Sequence, residues 1–259
     1  MENRKYVLAV FTLLTSPIIF SQIMSGEESK KEPEKEPKKD IIGKAGVRPE
    51  RELDNLTSVY LNTNYSNTFR SLKPNDNLFG EDIGKRADEM NANFWSFGIG
   101  IRTFLSDHIR FTTGLGFVRN GEKYSFLGED STFKYTTTYR YVTMPLILDF
   151  VYGKELKFSI GGGVMPQMML GYTQEQNWTN SVNAKGSFTD KRKGTDQLFN
   201  PFILSAVVNA GVQYKHSTYW SIYFIPEVRF QLPNTFSKNA PYIQKATAIG
   251  FNLGLSYQL

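Results

Sequence analysis

Between residues 56 and 259 apolar and polar side chains alternate with a period of two. On a strand this period sends successive side chains to opposite faces. The last segment shows it most clearly, with Phe251, Leu253, Leu255, Tyr257 and Leu259 interleaved with Asn252, Gly254, Ser256 and Gln258. The same parity divides the chain into eight strands at 56–69, 93–106, 109–126, 133–152, 156–172, 201–215, 219–232 and 243–259. Apolar faces follow directly: Leu156, Phe158, Ile160 and Val164 in the fifth, Phe202, Leu204 and Val208 in the sixth, Trp220, Ile222 and Phe224 in the seventh. The first strand, with Val59, Leu61 and Tyr65, carries the weakest stripe. The opposite faces read as small and polar, with Gly98, Gly100, Gly114, Gly161, Gly163, Gln167, Ser205, Asn209 and Asn252 among them.

Connection lengths add a topology. Ser106-Asp107-His108, Gly153-Lys154-Glu155 and 215–218 are tight, whereas 70–92, 173–200 and 233–242 are long and polar, with a shorter stretch at 127–132. Strict alternation of short and long connections is the asymmetry of outer-membrane barrels, whose periplasmic turns are short and external loops long. The expected fold is therefore all-β: an eight-stranded antiparallel up-and-down transmembrane β-barrel over 56–259, with both termini in the periplasm. A soluble barrel with an apolar interior has the same period. Aromatic residues near strand ends favour the membrane, because Trp and Tyr concentrate at bilayer interfaces. Phe150, Tyr152, Tyr214, Tyr219, Trp220 and Tyr257 fall at one level, and Trp95, Tyr139, Tyr172 and Phe202 at the other.

The amino-terminal region carries a different signal. Asn3-Arg4-Lys5 followed by the largely apolar run Tyr6 to Phe20 reads as a signal peptide over 1–21, too short for a spanning helix. No Cys follows it, so lipoprotein processing is not expected. Residues 22–55 then read as a periplasmic linker and arm; their Lys/Glu/Pro tract has nothing apolar to bury, and Pro33 and Pro37 interrupt any helix. Zero cysteines exclude disulfides, thiolate metal sites and thiol catalysis. The net charge of +5 is spread among acids without a basic stripe, which argues against nucleic acid.

Two segments carry resemblances. Asn252, Gly254, Tyr257 and Leu259 resemble the terminal signal read by outer-membrane barrel-assembly machinery. Tyr141-Val142-Thr143-Met144-Pro145-Leu146-Ile147-Leu148, with Gly161-Gly162-Gly163-Val164-Met165-Pro166 and Gly171-Tyr172, resembles the PorT-like outer-membrane β-barrel family of the Bacteroidetes. That resemblance implies location and fold, and a role as an accessory of secretion or of a cell-surface complex. Pro145 inside a strand removes a ladder donor and predicts a bulge.

Candidate chemistry lies in the lumen. Arg102, Arg110, Asp149, Glu227 and Arg229 share the inward parity. An eight-stranded barrel is just wide enough for side chains to fill it, so such charges are expected to pair and plug it. The alternative for the same residues is a gated pore. His108 and His216 fall in tight turns, away from where a lipid-modifying Ser–His pair would work. No cofactor, metal or catalytic residue is expected. The 173–200 loop, with Trp178, Phe188 and Lys191-Arg192-Lys193, is the main surface for a partner. The expected function is non-enzymatic: a structural or interaction component contacting membrane lipid, assembly machinery and a protein partner through loops or the periplasmic arm. A narrow passive channel is the alternative, and an outer-membrane lipid-modifying enzyme a third.

Overall fold

A computed structural model describes residues 57–75, 84–180, 182 and 184–259. The expected signal peptide and the linker and arm, 1–21 and 22–55, lie outside the described residues. The strands are β1 (Thr57–Pro74), β2 (Met90–Phe104), β3 (Ile109–Leu127), β4 (Thr132–Thr143), β5 (Leu146–Gly153), β6 (Leu156–Thr179), β7 (Lys185–Lys193), β8 (Phe202–Lys215), β9 (Trp220–Gln231) and β10 (Tyr242–Gln258). A single 3-10 turn, Gly84–Asp88, precedes β2. Among the described residues no helix is long and apolar enough to cross a membrane.

All pairings are antiparallel, and the sheet closes on itself. β1 pairs β2 on one side and β10 on the other, Tyr60 opposing Gly100 and Ser256. The ring continues through β3, the β4–β5 pair, β6, β8 and β9 back to β10. Closure removes the unpaired edges that an open sheet would present. β7 stands apart: it pairs with β6 alone, from Gly171↔Lys193 to Thr179↔Lys185, as a hairpin projecting past the ring.

β4 and β5 flank Met144-Pro145, and the expected bulge at Pro145 is absent. Thr143 opposes Gly116 and Gln167, and three residues later Leu146 opposes Thr113 and Val164, so neither register slips. Met144 N–H donates to Pro166 O at 3.0 Å, which leaves the missing Pro145 donor on the β3 side. The bulge lies further on, where Arg140 opposes Gly171 but Tyr141 opposes Met169, leaving Leu170 extra. One extra residue inverts the parity of everything beyond it.

That inversion corrects the reading of the far aromatic girdle. Tyr172 would face outward by the parity of Val164 and Met168, yet it turns inward against Tyr139 and Phe199. Tyr139 itself has the inward parity of Tyr141 and is buried. Trp95 and Phe202 do face outward, as do Phe150, Tyr152, Tyr214, Tyr219, Trp220 and Tyr257 around the end holding the carboxyl terminus. Between these aromatic levels lies an exposed apolar belt including Ile99, Leu115, Leu148, Ile160, Val208, Ile222 and Leu253. On the last strand it runs from Ile249 to Leu259, and a tilted strand needs about 9–11 residues to cross a bilayer. Beyond the belt the outward positions become charged, at Arg119, Arg140 and Lys245.

The inward face is less uniformly polar than its pattern predicts. Ile147, Met165 and Val207 form one buried apolar cluster, Tyr60, Tyr223 and Ile225 a second, and Tyr139, Tyr141, Met169, Phe199 and Ile203 a third.

Candidate functional site

Two polar layers sit inside the membrane-level barrel. In the first, nearer the carboxyl-terminal end, Arg110 on β3 meets Asp149 on β5, with Nη2 at 3.1 Å and Nε at 3.3 Å from Oδ2. The pairing follows from register, since Arg110 and Asp149 are direct cross-strand neighbours. Arg110 Nη1 also donates to Gln213 Oε1 at 2.8 Å, and Gln213 passes the chain to Ser221. In the second, Glu227 and Arg229 lie two residues apart on the inward face of β9, Nε to Oε1 3.1 Å. Asn252 Nδ2 donates to Glu227 Oε2 at 2.6 Å and Asn64 Nδ2 to Oε1 at 3.1 Å. Arg229 Nη2 donates in turn to Asn64 Oδ1 and Ser66 Oγ, both at 3.0 Å. Buried ions are tolerated when such bonds satisfy their remaining lone pairs and protons.

Arg102 is held differently. Its guanidinium lies over the Tyr223 ring, 3.8 Å to the centroid, with Tyr60 at 4.7 Å on another side. Cation–π contact of this kind is strongest where the cation is desolvated, and Arg102 is buried. Glycines make room for both rings. A Cβ at Gly254 would stand 2.5 Å from Tyr223 Cζ, and one at Gly114 2.9 Å from Tyr60 Oη. Gly254, read from the sequence as part of an assembly signal, thus also has a packing role. Arg102 Nε and Nη1, Asp149 Oδ1 and Asn209 Oδ1 make no hydrogen bond among the described residues. Arg102, Asp149 and Asn209 line a lumenal cavity of about 80 Å³, polar and roomy enough for water.

Sequence reasoning missed a third layer, beyond the apolar belt. Arg70 on β1 ion-pairs with Glu89 and lies 3.7 Å from Glu122 Oε1 on β3. Tyr139 Oη donates to Glu122 Oε1 at 3.4 Å and sits 3.2 Å from Gln244 Oε1, and Tyr135 Oη donates to Glu89. Glu122 shares the even, inward parity of Arg110 and Gly114, so parity carried to the end of the strand could have found it. Arg70 was hidden because the first strand was ended at 69, whereas β1 continues to Pro74. Burial raises the Glu122 carboxyl above its usual range, opposed first by the nearby Arg70.

Above this layer is a chamber of about 290 Å³. Its walls include the aromatic chain Tyr139, Tyr172, Phe199 and Phe236, with successive centroids 5.5, 5.4 and 5.8 Å apart. Arg86 lies over the Tyr242 ring at 4.6 Å, and Arg192 Nε donates to Asp190 Oδ2 at 2.9 Å. Two connections meet over it: Phe199 bridges Phe236, Asn200 N–H donates to Thr235 O at 2.9 Å, and Ser237 N–H to Leu198 O at 2.9 Å. Burial pushes the Tyr172 hydroxyl up to about 12. Among the described residues no group of three His, Asp or Glu side chains could hold a metal.

His108 and His216 occupy the β2–β3 and β8–β9 turns. His108 Nδ1 lies 3.3 Å from Val151 O, and its ring packs 5.5 Å from that of Phe150. Trp178 and Phe188 lie exposed on the β6–β7 hairpin, and Gly186 opposite Trp178 leaves space for the indole.

Comparison with curated proteins finds no match. Among solved structures, Neisserial surface protein A is 11% identical, with 78% of this chain and 97% of that chain covered and a TM-score of 0.35. Outer membrane protein OprG from Pseudomonas aeruginosa is 9% identical, with 78% and 96% covered and a TM-score of 0.39. The outer membrane protease OmpT from Escherichia coli is 13% identical, with 78% and 96% covered and a TM-score of 0.35. A family profile described as outer membrane protein beta-barrel domain matches residues 53–233. With a closed antiparallel ring, an apolar outer belt and a profile match across most of its length, the chain belongs to the outer membrane protein beta-barrel domain family and is a protein of the outer membrane.

Proposed function

We propose that the protein is an eight-stranded barrel with a closed lumen, acting without catalysis as a structural or interaction component of the cell surface. The count takes β4 and β5 as one strand interrupted at Pro145, and β7 as an arm of the β6 hairpin outside the ring. An even count sets both termini at one end, which we assign to the periplasm, with the long connections outside. The observation that carries the closed lumen is the pair of cross-linked charge layers, Arg110–Asp149 and Glu227–Arg229. They leave lumenal cavities of about 80 and 20 Å³ at membrane level.

The resemblance to PorT-like barrels and the signal-peptide pattern read in residues 1–21 support a role as accessory of a secretion or surface complex. Its partners would be membrane lipid, the barrel-assembly machinery through Asn252, Gly254, Tyr257 and Leu259, and a protein met by the loops or the arm. Nucleic acid has no place in this reading. The non-catalytic reading draws on His108, whose Nδ1 faces a backbone carbonyl. A passive channel is the second reading, favoured by the polar side chains in both layers.

Planar-bilayer recording separates the two. The purified protein should give no steady conductance. Steady conductance from the folded protein would replace the closed barrel with the channel.

A further inference from the structure

The chamber beyond the third polar layer goes further than an architectural role, and its argument does not depend on whether the membrane-level lumen is open or closed. At about 290 Å³ it sits near the lower limit of small-ligand pockets, roughly 300–1,000 Å³. Its floor holds Glu122, nine-tenths or more buried, whose Oε2 accepts no hydrogen bond among the described residues. A buried acceptor left unmade is costly, so a ligand that donates to it gains more than one that donates to a solvated group. Tyr172, backed by the buried Phe199, offers an aromatic surface to the chamber, while Gln174, Asp190 and Arg192 offer donors and acceptors at the edge.

Charge decides the ligand class. Glu89, Glu122 and Asp190 are the acidic groups of the lining and Arg86 and Arg192 the basic ones, while Arg70 of the layer below pairs with Glu89 and lies 3.7 Å from Glu122. Asp190 is already bound to Arg192, Arg70 to Glu89, and Arg86 lies on Tyr242. With its charged groups engaged by one another or by a ring, the lining offers an incoming molecule hydrogen-bonding edges rather than a free counter-ion. Aromatic faces combined with fixed polar edges suit a molecule that is itself apolar on its faces and hydroxylated around its rim. That is a sugar ring.

We propose that this chamber binds a neutral saccharide of one or two rings, its C–H face against Tyr172 and a hydroxyl donating to Glu122 Oε2. The full chain, in micelles of a detergent without a sugar headgroup, is titrated with D-glucose, N-acetyl-D-glucosamine and maltose by saturation-transfer NMR. Tetramethylammonium chloride and sodium methylphosphonate, both with observable methyl protons, serve as charged probes. At least one sugar should show saturable transfer, weakened about tenfold or more by Glu122→Gln and by Asp190→Ala. Phe188→Ala, on the exposed hairpin face, should leave binding unchanged. Each variant is first shown to keep the faster unboiled gel migration of a folded barrel. No transfer from any of the three sugars to the folded protein overturns the proposal. So does tighter binding of either charged probe, or sugar binding that both chamber variants leave intact.

Discussion

Burial holds the Glu122 carboxyl above the ordinary carboxylate range, and Arg70 offsets this only in part. Glu122 lies past Arg119 on β3, beyond the apolar belt, so its surroundings are protein and water rather than lipid. Its sign in pH-dependent stability follows from linkage. Between the unfolded carboxylate pKa, about 4.3, and the raised folded value, the folded state binds the proton that the unfolded chain has released. Stability therefore falls as pH rises through that window, and the ionised group costs stability above it. Glu122→Gln should unfold at higher urea than the natural protein at pH 8, with the difference shrinking as pH approaches 4. Urea titrations of both proteins at several pH values check this, and a difference independent of pH would contradict it. A residue that weakens the fold while lining a chamber is the kind of compromise binding sites make. At this scale parity puts Arg110, Asp149, Glu227 and Arg229 on the inward face, where they pair as Arg110–Asp149 and Glu227–Arg229, but it misplaces Tyr172 beyond the bulge. The stack of Arg102 on Tyr223 was not readable, because nothing along the chain announces which ring a guanidinium will face.

Among the elements, β6 departs furthest from expectation. It was read as ending at 172 and runs to Thr179, and β7 folds back along it inside what was read as a loop. Over 173–179 the side chains are Thr, Gln, Glu and Asn with one Trp. No apolar stripe marks the strand there, because past the bilayer both faces meet protein polar groups or water. A strand of 24 residues at about 3.3 Å each would reach more than twice the ~30 Å hydrocarbon core. The hairpin must therefore project, and it supports itself by its own ladder. Replacing 176–189 with a short turn should leave the folded gel migration intact and change stability by less than about 0.5 kcal/mol. Loss of folding on that replacement would show the hairpin to be part of the barrel's framework. The bulge at Leu170–Gly171 has the opposite weight, since it turns Tyr172 into the chamber.

For the whole molecule, the absence of cysteine makes its sidedness measurable. A single Cys at Val182, in the β6–β7 connection, should react with a membrane-impermeant maleimide on intact cells, and one at His216 should not. Labelling of His216→Cys in intact cells would invert the assignment of the two ends. Alternation and connection lengths determined the antiparallel meander and most outward faces, because lipid on one side and the lumen on the other impose a period of two on every spanning strand; they did not determine β7, the β4–β5 break or the inward turn of Tyr172. The tertiary structure decided what lies between the strands. Closure brought Asn64, Glu227 and Asn252 from three strands into one network, left register unbroken at Pro145, and slipped it by one residue before Tyr172. Those outcomes depend on contacts between residues far apart in the chain, such as Asn62 and Asn252, 190 positions from each other. A pattern read along one strand contains no information about such distant partners.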